Sequence, residues 1–309
     1  MTELIKLQDT VQEQQVTDFL TLNYENIIDQ FDCHPKTRNK YKSDAKPFIS
    51  FIAEHGLNVN TFRQYKKHLA GIDSIKVGTK AVKLTAAKRL LQELHGRYRL
   101  LTVDLTAGTK SFQVSTEHVK EGLSRSEVQA VKKVINKEPD ALKRTRFQAM
   151  FALLAVQGLR QFEVAALTLE DLRLEDRTAL VKGKKRDDKE RIDLHPDTVQ
   201  AIREYLMESG KKSGYLFTSI SRAAKGNNAL TERAIRKMFT DIFRKAGLPE
   251  GRSVHGLRHF FVTRMLEATS GDLLTVQKFS RHKSLNTIKC YDDRQRKKDL
   301  LPAYYQAFN

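Results

Sequence analysis

The sequence has little of what marks secreted, disulfide-rich or membrane proteins. Its 309 residues include no tryptophan and only two cysteines, Cys33 and Cys290, which lie far apart and form no CxxC pair. This pattern excludes a disulfide framework and a cysteine-based zinc site, and it predicts free thiols in a reducing cytoplasm. No uncharged apolar run approaches the roughly 18 residues of a membrane helix, and the N-terminus has no recognisable secretory signal. We therefore expect a water-soluble protein with no membrane partner.

Positive charge is what the sequence has in excess. Lysine and arginine number 55, aspartate and glutamate 37, and the formal net charge is +18. The sequence pI is near 9.8. Such an excess favours a polyanionic partner, because lysine and arginine side chains that neutralise phosphates release condensed counterions. The length accommodates two domains of ordinary size.

The first third of the chain has the pattern of a helical domain, which we assign to residues 1–105. The predicted helices lie near 11–30, 37–55, 60–70 and 76–99. In the last of these, five apolar residues at helical spacing are expected to face a core: Val77, Ala81, Leu84, Leu91 and Leu94. Residues 106–122 are mostly small and polar and lack periodicity, which predicts a linker.

Basic residues recur on the predicted helices of this domain. Lys76, Lys80 and Lys83 fall on one helix face. A lysine stripe is most often only a solvated surface, but the pattern repeats on neighbouring helices, which favours contact with a DNA backbone. The predicted DNA-binding residues are Lys40, Lys42, Arg63, Lys66, Lys67, Lys76, Lys80 and Lys83.

A second domain, residues 123–309, mixes helices with a small sheet. Ser124 and Glu127 have the spacing of a capping box, which predicts a helix start, and Gly158 is a predicted helix stop. Three short β-like runs, at 172–174, 178–181 and 191–194, predict an antiparallel sheet. Further helices are predicted near 197–208, 231–246, 254–269, 272–281 and 285–292. The predicted fold class is mainly α, with a small antiparallel β-sheet in the second domain.

Four local motifs in the second domain combine cations, histidines and a tyrosine. They are Gly158-Leu-Arg-Gln-Phe-Glu163, Val181-Lys-Gly-Lys-Lys185, His255-Gly-Leu-Arg-His259 and the segment from Arg281 to Tyr291. Each motif alone is a weak signal, because an arginine or histidine near a helix end is usually a solvated or hydrogen-bonded structural group. Their order along the chain is more informative.

In this order the motifs resemble the catalytic set of the tyrosine recombinase (phage integrase) family. The matching residues are Arg160, Lys184, His255, Arg258, His282 and Tyr291, with Glu163 at the family's acidic position. Lys184 follows Arg160 by 24 residues, and Tyr291 follows His282 by nine. The resemblance covers residues 123–293 densely, whereas the helical N-terminal part fits the family's core-binding domain in outline.

The chain departs from the family pattern at two places. Ser280 and Arg281 stand where the family usually has Leu-Gly before the second histidine, which puts an extra cation beside the site. Asp292 and Asp293 follow the tyrosine and place acid next to it. Neither departure removes a catalytic group.

The resemblance implies DNA strand cleavage through a covalent phosphotyrosine. A phenol with a pKa near 10 is only about one part in a thousand ionised at pH 7, so its attack needs assistance. Arg160 and Arg258 would hold the nonbridging phosphate oxygens, with His282 as a further donor. These cations would replace a metal, so no metal and no cofactor is expected.

Proton transfer falls to the remaining residues of the set. Lys184 would protonate the leaving 5′ oxygen, and Lys189 in the same predicted hairpin is the alternative. His255 would assist proton transfer near Tyr291, as its near-neutral pKa allows. Glu163 would orient Arg160 or His255.

Another interpretation takes His255 and His259 as an i, i+4 metal pair, as in HExxH zinc enzymes. It fits poorly, because Gly256 replaces the glutamate base and Arg258 sits between the two histidines. We interpret His259 as a buried, hydrogen-bonded histidine.

The resemblance therefore implies a site-specific DNA recombinase with a Xer-like or Cre-like two-domain layout and no preceding arm-binding domain. It would clamp double-stranded DNA and assemble as a tetramer on two sites, coupled through a basic and then apolar C-terminal tail. Tyr304 and Tyr305 in that tail are interpreted as packing residues. The expected location is the cytoplasm, on DNA. A type IB topoisomerase and a non-catalytic architectural DNA-binding protein are the alternatives.

Overall fold

The computed structural model describes residues 2–114, 122–183, 188–219, 228–289, 291 and 306, with side chains from residue 14 onward. The chain divides into two compact units, Met1–Thr116 and Glu117–Asn309. Each unit has a hydrophobic core of its own. Within the described ranges, no helix combines the length and the apolar character that crossing a bilayer requires.

The first unit is helical. Its helices are α1 (Thr2–Asp29), α2 (Pro35–His55), α3 (Thr61–Ala70) and α4 (Val77–Gly96), so the four predicted helices are confirmed. Phe48, Ile52 and Tyr65 are fully buried between α2 and α3, and Leu20 of α1 and Leu90 of α4 complete the same core. Burial of such large apolar side chains stabilises the unit by about 1.5 to 3 kcal/mol each.

The buried face of α4 differs from the predicted one. The residues that face the core are Lys80, Leu84, Ala87, Leu91 and Leu94, whereas Val77 is 47% exposed. Lys80 packs its methylene stem inside, and its Nζ donates to the carbonyl oxygen of Ala70 at 2.8 Å. That carbonyl ends α3 and has no helical partner, so the ammonium caps the helix. The prediction of Val77 as a core residue is therefore wrong. The DNA contact of Lys80 stays a prediction, although its ammonium is held by the Ala70 carbonyl in the structure.

The second unit combines helices with one small sheet, as predicted. Its helices are α5 (Arg125–Asn136), α6 (Ala141–Phe151), α7 (Gln161–Ala166), α8 (Pro196–Ser209), α9 (Glu232–Lys245), α10 (His255–Ala268), α11 (Leu273–Ser280) and α12 (Leu285–Lys289). A π-helical turn, Ala152–Val156, extends α6, and a 3-10 turn, Leu169–Asp171, precedes the sheet. The predicted capping box of Ser124 and Glu127 is confirmed at the start of α5.

The sheet is antiparallel, with strand order β1 (Leu172–Arg173), β2 (Thr178–Lys182) and β3 (Lys189–Asp193). Ala179 pairs with Leu172 on one side and with Ile192 on the other. The last described pair of β2 and β3 joins Lys182 to Lys189.

Gly158 ends the α6 segment in a way that only glycine permits. Its φ is +65°, in the left-handed region, and a Cβ there would lie 2.2 Å from Cδ1 of Phe261 on α10. The Phe261 ring of α10 therefore packs directly against this turn, in the space that a side chain at position 158 would occupy. The predicted helix stop at Gly158 is confirmed, and the close approach brings α10 against the segment that leads into α7.

We predict that Gly158→Ala destabilises the second unit by about 3 kcal/mol or more, since it adds both backbone strain and a steric clash. Gly210→Ala is the matched control, because Gly210 also has a positive φ, +64°, but nothing lies within 4 Å of its Cβ position. The control should cost about 1 kcal/mol, the strain alone. Urea unfolding followed by circular dichroism measures both, and equal midpoints would show that α10 does not pack closely here.

Candidate active site

Arg160 and Glu163 form the first part of a cluster of charged groups. Arg160 lies at the N-terminus of α7, and Glu163 lies one turn further on and is 2% exposed. Glu163 Oε2 accepts from the backbone N–H of Arg160 at 2.7 Å, and Oε1 accepts from Arg160 Nη1 at 2.9 Å. The carboxylate thus fixes both the backbone and the guanidinium of Arg160, the first of the two roles expected for Glu163.

Arg258 lies in the first turn of α10 and is 1% exposed. Its Nη1 donates to the carbonyl oxygen of Gly158, and its Nη2 donates to the carbonyl oxygen of Ser280. Burial and the nearby Arg160 lower the pKa of Arg258 to about 9. The guanidinium therefore stays charged at neutral pH, and it ties the turn before α7 to the end of α11.

His282 follows α11 and contacts both Arg258 and Ser280. Its Nε2 lies 3.4 Å from Arg258 Nη2, and its Nδ1 lies 2.7 Å from Ser280 Oγ. Burial, with the positive charges of Arg258 and Arg160, lowers the pKa of His282 to about 3. The ring is therefore neutral at physiological pH. Because an arginine can only donate, Nε2 is the acceptor and Nδ1 carries the proton that Ser280 Oγ accepts.

Tyr291 packs among histidine rings. Its ring centroid lies 4.6 Å from that of His259 and 6.1 Å from that of His282. His255 and His259, one turn apart on α10, have ring centroids 4.7 Å apart. His259 is 5% exposed, so its predicted burial is confirmed. The fold thus brings the four residues that end the predicted catalytic set, His255, Arg258, His282 and Tyr291, to one end of α10.

A cavity of about 880 Å³ opens beside this cluster. Its lining includes Arg160, Gly183, Lys189, Gln277, Arg281 and His282. Three carboxylates, those of Glu163, Asp188 and Glu190, also line the cavity, and the charge of Glu163 is engaged by Arg160 and Arg281. A cavity with several guanidinium and ammonium groups at its wall is suited to a phosphate, whose oxygens accept bidentate hydrogen bonds from arginine.

The comparisons with known proteins agree with this geometry. The family model described as the phage integrase family matches residues 121–298, more than half of the chain. A tyrosine recombinase of Synechocystis, slr0733, is 30% identical over 84% of this chain and 86% of its own length. The chain belongs to the phage integrase family. The predicted resemblance is confirmed at this level.

Other relatives and solved structures of the same kind cover most of the chain. The tyrosine recombinase XerC of Lactobacillus delbrueckii subsp. bulgaricus is 29% identical over 83% of this chain and 88% of its own. The structure of XerH recombinase bound to difH substrate before cleavage has a TM-score of 0.67 at 22% identity, over 86% of this chain and 78% of that one. A lambda integrase tetramer bound to a Holliday junction has a TM-score of 0.68 at 18% identity, over 89% and 77%. These structures share the fold of a phage integrase, which confirms the predicted fold class.

The hairpin lysine of the predicted set, Lys184, lies outside the described residues and stays a prediction. Its alternative, Lys189, has a partner of its own, because its Nζ forms an ion pair with Asp171, whose side chain is 5% exposed. A buried carboxylate that loses its cation is left uncompensated, so this ion pair is costly to break. Lys189 is therefore the weaker candidate for a general acid.

The predicted DNA-binding residues of the first unit have different surroundings. Lys40 and Lys42 pair with Asp44 and Asp29, each at 2.7 Å, and Lys66 lies over the ring of Phe112. Arg63, Lys67 and Lys76 are exposed, and Lys83 is half-buried. Among the described residues these last four have no ion-pair partner, and Lys66 has none either, although its ammonium lies over the Phe112 ring.

The predicted catalytic set omitted two residues that contact it in the structure, Ser280 and Arg281. Arg281 Nη2 lies 2.6 Å from Glu163 Oε2, and its carbonyl oxygen accepts from Arg160 Nη2 at 3.2 Å. The only signal in the sequence was that both residues differ from the family's usual Leu-Gly. Glu163 and Arg160 lie 118 and 121 residues from Arg281, and Arg258 lies 22 residues from Ser280, so local pattern could not reveal these contacts.

We predict that His282 stays neutral, with its proton on Nδ1, between about pH 5 and pH 8, since its pKa lies well below the ordinary value near 6.5. Nitrogen NMR of the imidazole measures both properties, and the absent signals of His282→Gln assign them. Ser280→Ala should abolish the single tautomer but leave the ring uncharged, because burial and Arg258 remain. Protonation of wild-type His282 near pH 6 would contradict the assignment.

Proposed function

We propose that this protein is a site-specific DNA recombinase that cleaves and rejoins DNA strands through a 3′-phosphotyrosine. The observation that carries the proposal is the assembly of Arg160, Arg258, His282 and Tyr291 around one buried cationic cluster beside an open cavity. Membership of the phage integrase family supports it, as do relatives named tyrosine recombinases over most of the chain.

The cleavage step follows from the chemistry of these groups. The Tyr291 Oη attacks the scissile phosphorus, the bond from phosphorus to the 5′ oxygen breaks, and the phosphate becomes an ester of the tyrosine. Attack by the freed 5′ hydroxyl of a strand reverses the step, so the phosphodiester energy is kept and no nucleotide is consumed. Arg160 and Arg258 bind the nonbridging oxygens. Each prearranged donor contributes about 3 to 4 kcal/mol to the transition state, by analogy with an oxyanion hole.

His282 supports the phosphate as a neutral donor. In the structure its Nδ1–H is held by Ser280 Oγ. A serine hydroxyl can also donate. When Nδ1 releases its proton to solvent and Nε2 takes one up from it, the Ser280 O–H can rotate to donate to Nδ1 and so hold this second neutral tautomer. Nε2–H then faces the arginine cluster and can donate to a phosphate oxygen without adding a buried charge. The depressed pKa of His282 is compatible with this role.

Two further groups complete the proton transfers. His255 lies one turn from His259, whose ring contacts Tyr291, and we assign to His255 the proton that leaves the phenol. Lys184 in the β2–β3 turn is assigned as the general acid for the 5′ oxygen. The pairing of Lys189 with Asp171 favours Lys184 over its neighbour.

The two compact units correspond in this proposal to a core-binding domain, 1–105, a linker, 106–122, and a catalytic domain, 123–309. Arg63, Lys67, Lys76 and Lys83 are the leading candidates for DNA phosphate contacts in the first. Four protomers on two DNA sites, coupled through the C-terminal tail, would complete exchange; the lambda integrase neighbour was solved as a tetramer on a Holliday junction. The tail falls outside the described residues except for Gln306. We assign the protein to DNA in the cytoplasm.

Tyr291→Phe tests the proposal most simply, because it removes only the nucleophilic oxygen. Nicked genomic DNA from the organism that encodes the chain is the substrate, and the readout is protein–DNA adduct that resists SDS. We expect adduct with wild-type protein, none with Tyr291→Phe, and unchanged DNA retention in gel-shift titration.

Tyr305→Phe is the matched control and should form adduct normally. Adduct formation by Tyr291→Phe would exclude Tyr291 as the nucleophile. Binding without adduct by the wild-type protein would favour the architectural alternative.

A further inference from the structure

Arg281 occupies a backbone position that arginine rarely adopts. It ends α11 with φ +55° and ψ +41°, in the left-handed region, and its N–H donates to the carbonyl oxygen of Gln277. Glycine takes this conformation without strain, whereas a side chain does not. An arginine here bears a conformational cost, which the contacts of its side chain can offset.

The side chain of Arg281 is buried against Glu163. It is 8% exposed, and its Nη2 lies 2.6 Å from Glu163 Oε2, the same oxygen that accepts from the backbone N–H of Arg160. The other carboxylate oxygen, Oε1, accepts from Arg160 Nη1. One carboxylate therefore lies between two guanidiniums, and each guanidinium has its own oxygen.

Arg281 is less suited than Arg160 to contact DNA itself. The Arg160 side chain is 25% exposed beside the cavity, and that of Arg281 is 8% exposed and faces the carboxylate. Without Arg281, Oε2 would keep only the backbone N–H of Arg160. The uncompensated charge of a carboxylate that is 2% exposed would then draw the Arg160 guanidinium onto both oxygens, away from the cavity.

We propose that Arg281 is a positioning residue: by holding Glu163 it keeps the guanidinium of Arg160 turned towards the scissile phosphate. The proposal rests on the recombinase function above and adds a residue to it. Arg281 acts on the rate of cleavage through Glu163 and Arg160. We expect it to contribute little to the affinity for DNA, because its guanidinium is engaged by Glu163.

A double-mutant cycle tests whether Arg281 acts through Glu163. Arg281→Met keeps an unbranched side chain at the strained position and removes only the charge. The four proteins are wild type, Arg281→Met, Glu163→Gln and the double variant. The readouts are single-turnover adduct formation on the DNA recovered from the wild-type adduct, and the Kd for that DNA by gel shift.

Arg281→Met should slow adduct formation about tenfold in the wild-type background, with Kd within about twofold. In the Glu163→Gln background, Arg281→Met should leave the rate of adduct formation unchanged or raise it, because no carboxylate remains for Arg281 to hold. Equal losses in both backgrounds would make Arg281 a direct phosphate ligand and overturn the proposal. So would an unchanged rate for Arg281→Met.

Further variants separate this role from folding and from general charge. Arg281→Lys, which keeps the ion pair, should recover the rate to within about threefold of wild type. Arg281→Gly relieves the backbone strain but should form adduct as slowly as Arg281→Met does. Recovery of the wild-type rate by Arg281→Gly would show that the backbone conformation, and not the ion pair with Glu163, controls the rate. Arg264→Met, which removes an exposed arginine on α10, controls for the loss of one positive charge. Thermal unfolding identifies any variant that fails to fold.

A second experiment covers the case in which the wild-type protein forms no adduct. That result would refute the recombinase function but would leave the role of Arg281 to be tested. Inorganic phosphate is titrated into the same four proteins by calorimetry. Arg281→Met should weaken phosphate binding in the wild-type background and not in the Glu163→Gln background. Equal weakening in both, or none in either, would overturn the positioning role whatever the reaction is.

Discussion

The burial of the Arg258 guanidinium is the constraint on which the candidate site depends. Its two terminal nitrogens are held by backbone carbonyls, those of Gly158 and Ser280, from segments that are far apart in the chain. Backbone acceptors stabilise a buried cation without neutralising it, so its charge remains for an anionic substrate. The close approach of α10 to Gly158 makes this contact possible, and the same contact places His282 beside the guanidinium.

The electrostatics of the cluster favour an incoming anion. Arg160, Arg258 and Arg281 meet around one carboxylate, Glu163, so positive charge is in excess among the described groups. The lowered pKa values of Arg258 and His282 both reflect this excess together with burial. A phosphodiester gains negative charge in its transition state, and this charge reduces the repulsion among the clustered arginines. The free energy needed to bring the cations together is supplied during folding, so no reorganisation is required at the moment of reaction. In this way a preorganised site stabilises a transition state.

Sequence reasoning succeeded where the signal was local. The capping box of Ser124 and the three strands depend on short patterns, and the structure has them close to the predicted places. The spaced motifs lie within the segment that the phage integrase family model matches. Sequence reasoning was less informative where a distant partner decides the outcome. The Lys80 ammonium is held by the Ala70 carbonyl, and Lys189, the alternative to Lys184, pairs with the buried Asp171. Neither partner is visible in helix periodicity or in the hairpin sequence, and the same is true of the contact between Arg281 and Glu163.

In the proposed function these cations replace a metal, and Tyr291 becomes joined to the 3′ side of the broken strand. Both points can be measured on protein trapped on DNA in EDTA, digested with protease and nuclease, and analysed by mass spectrometry. We expect a nucleotide linked through its 3′ phosphate to the peptide that contains Tyr291. A 5′-phosphate linkage, attachment to another residue, or adduct that forms only with a divalent metal ion would contradict it.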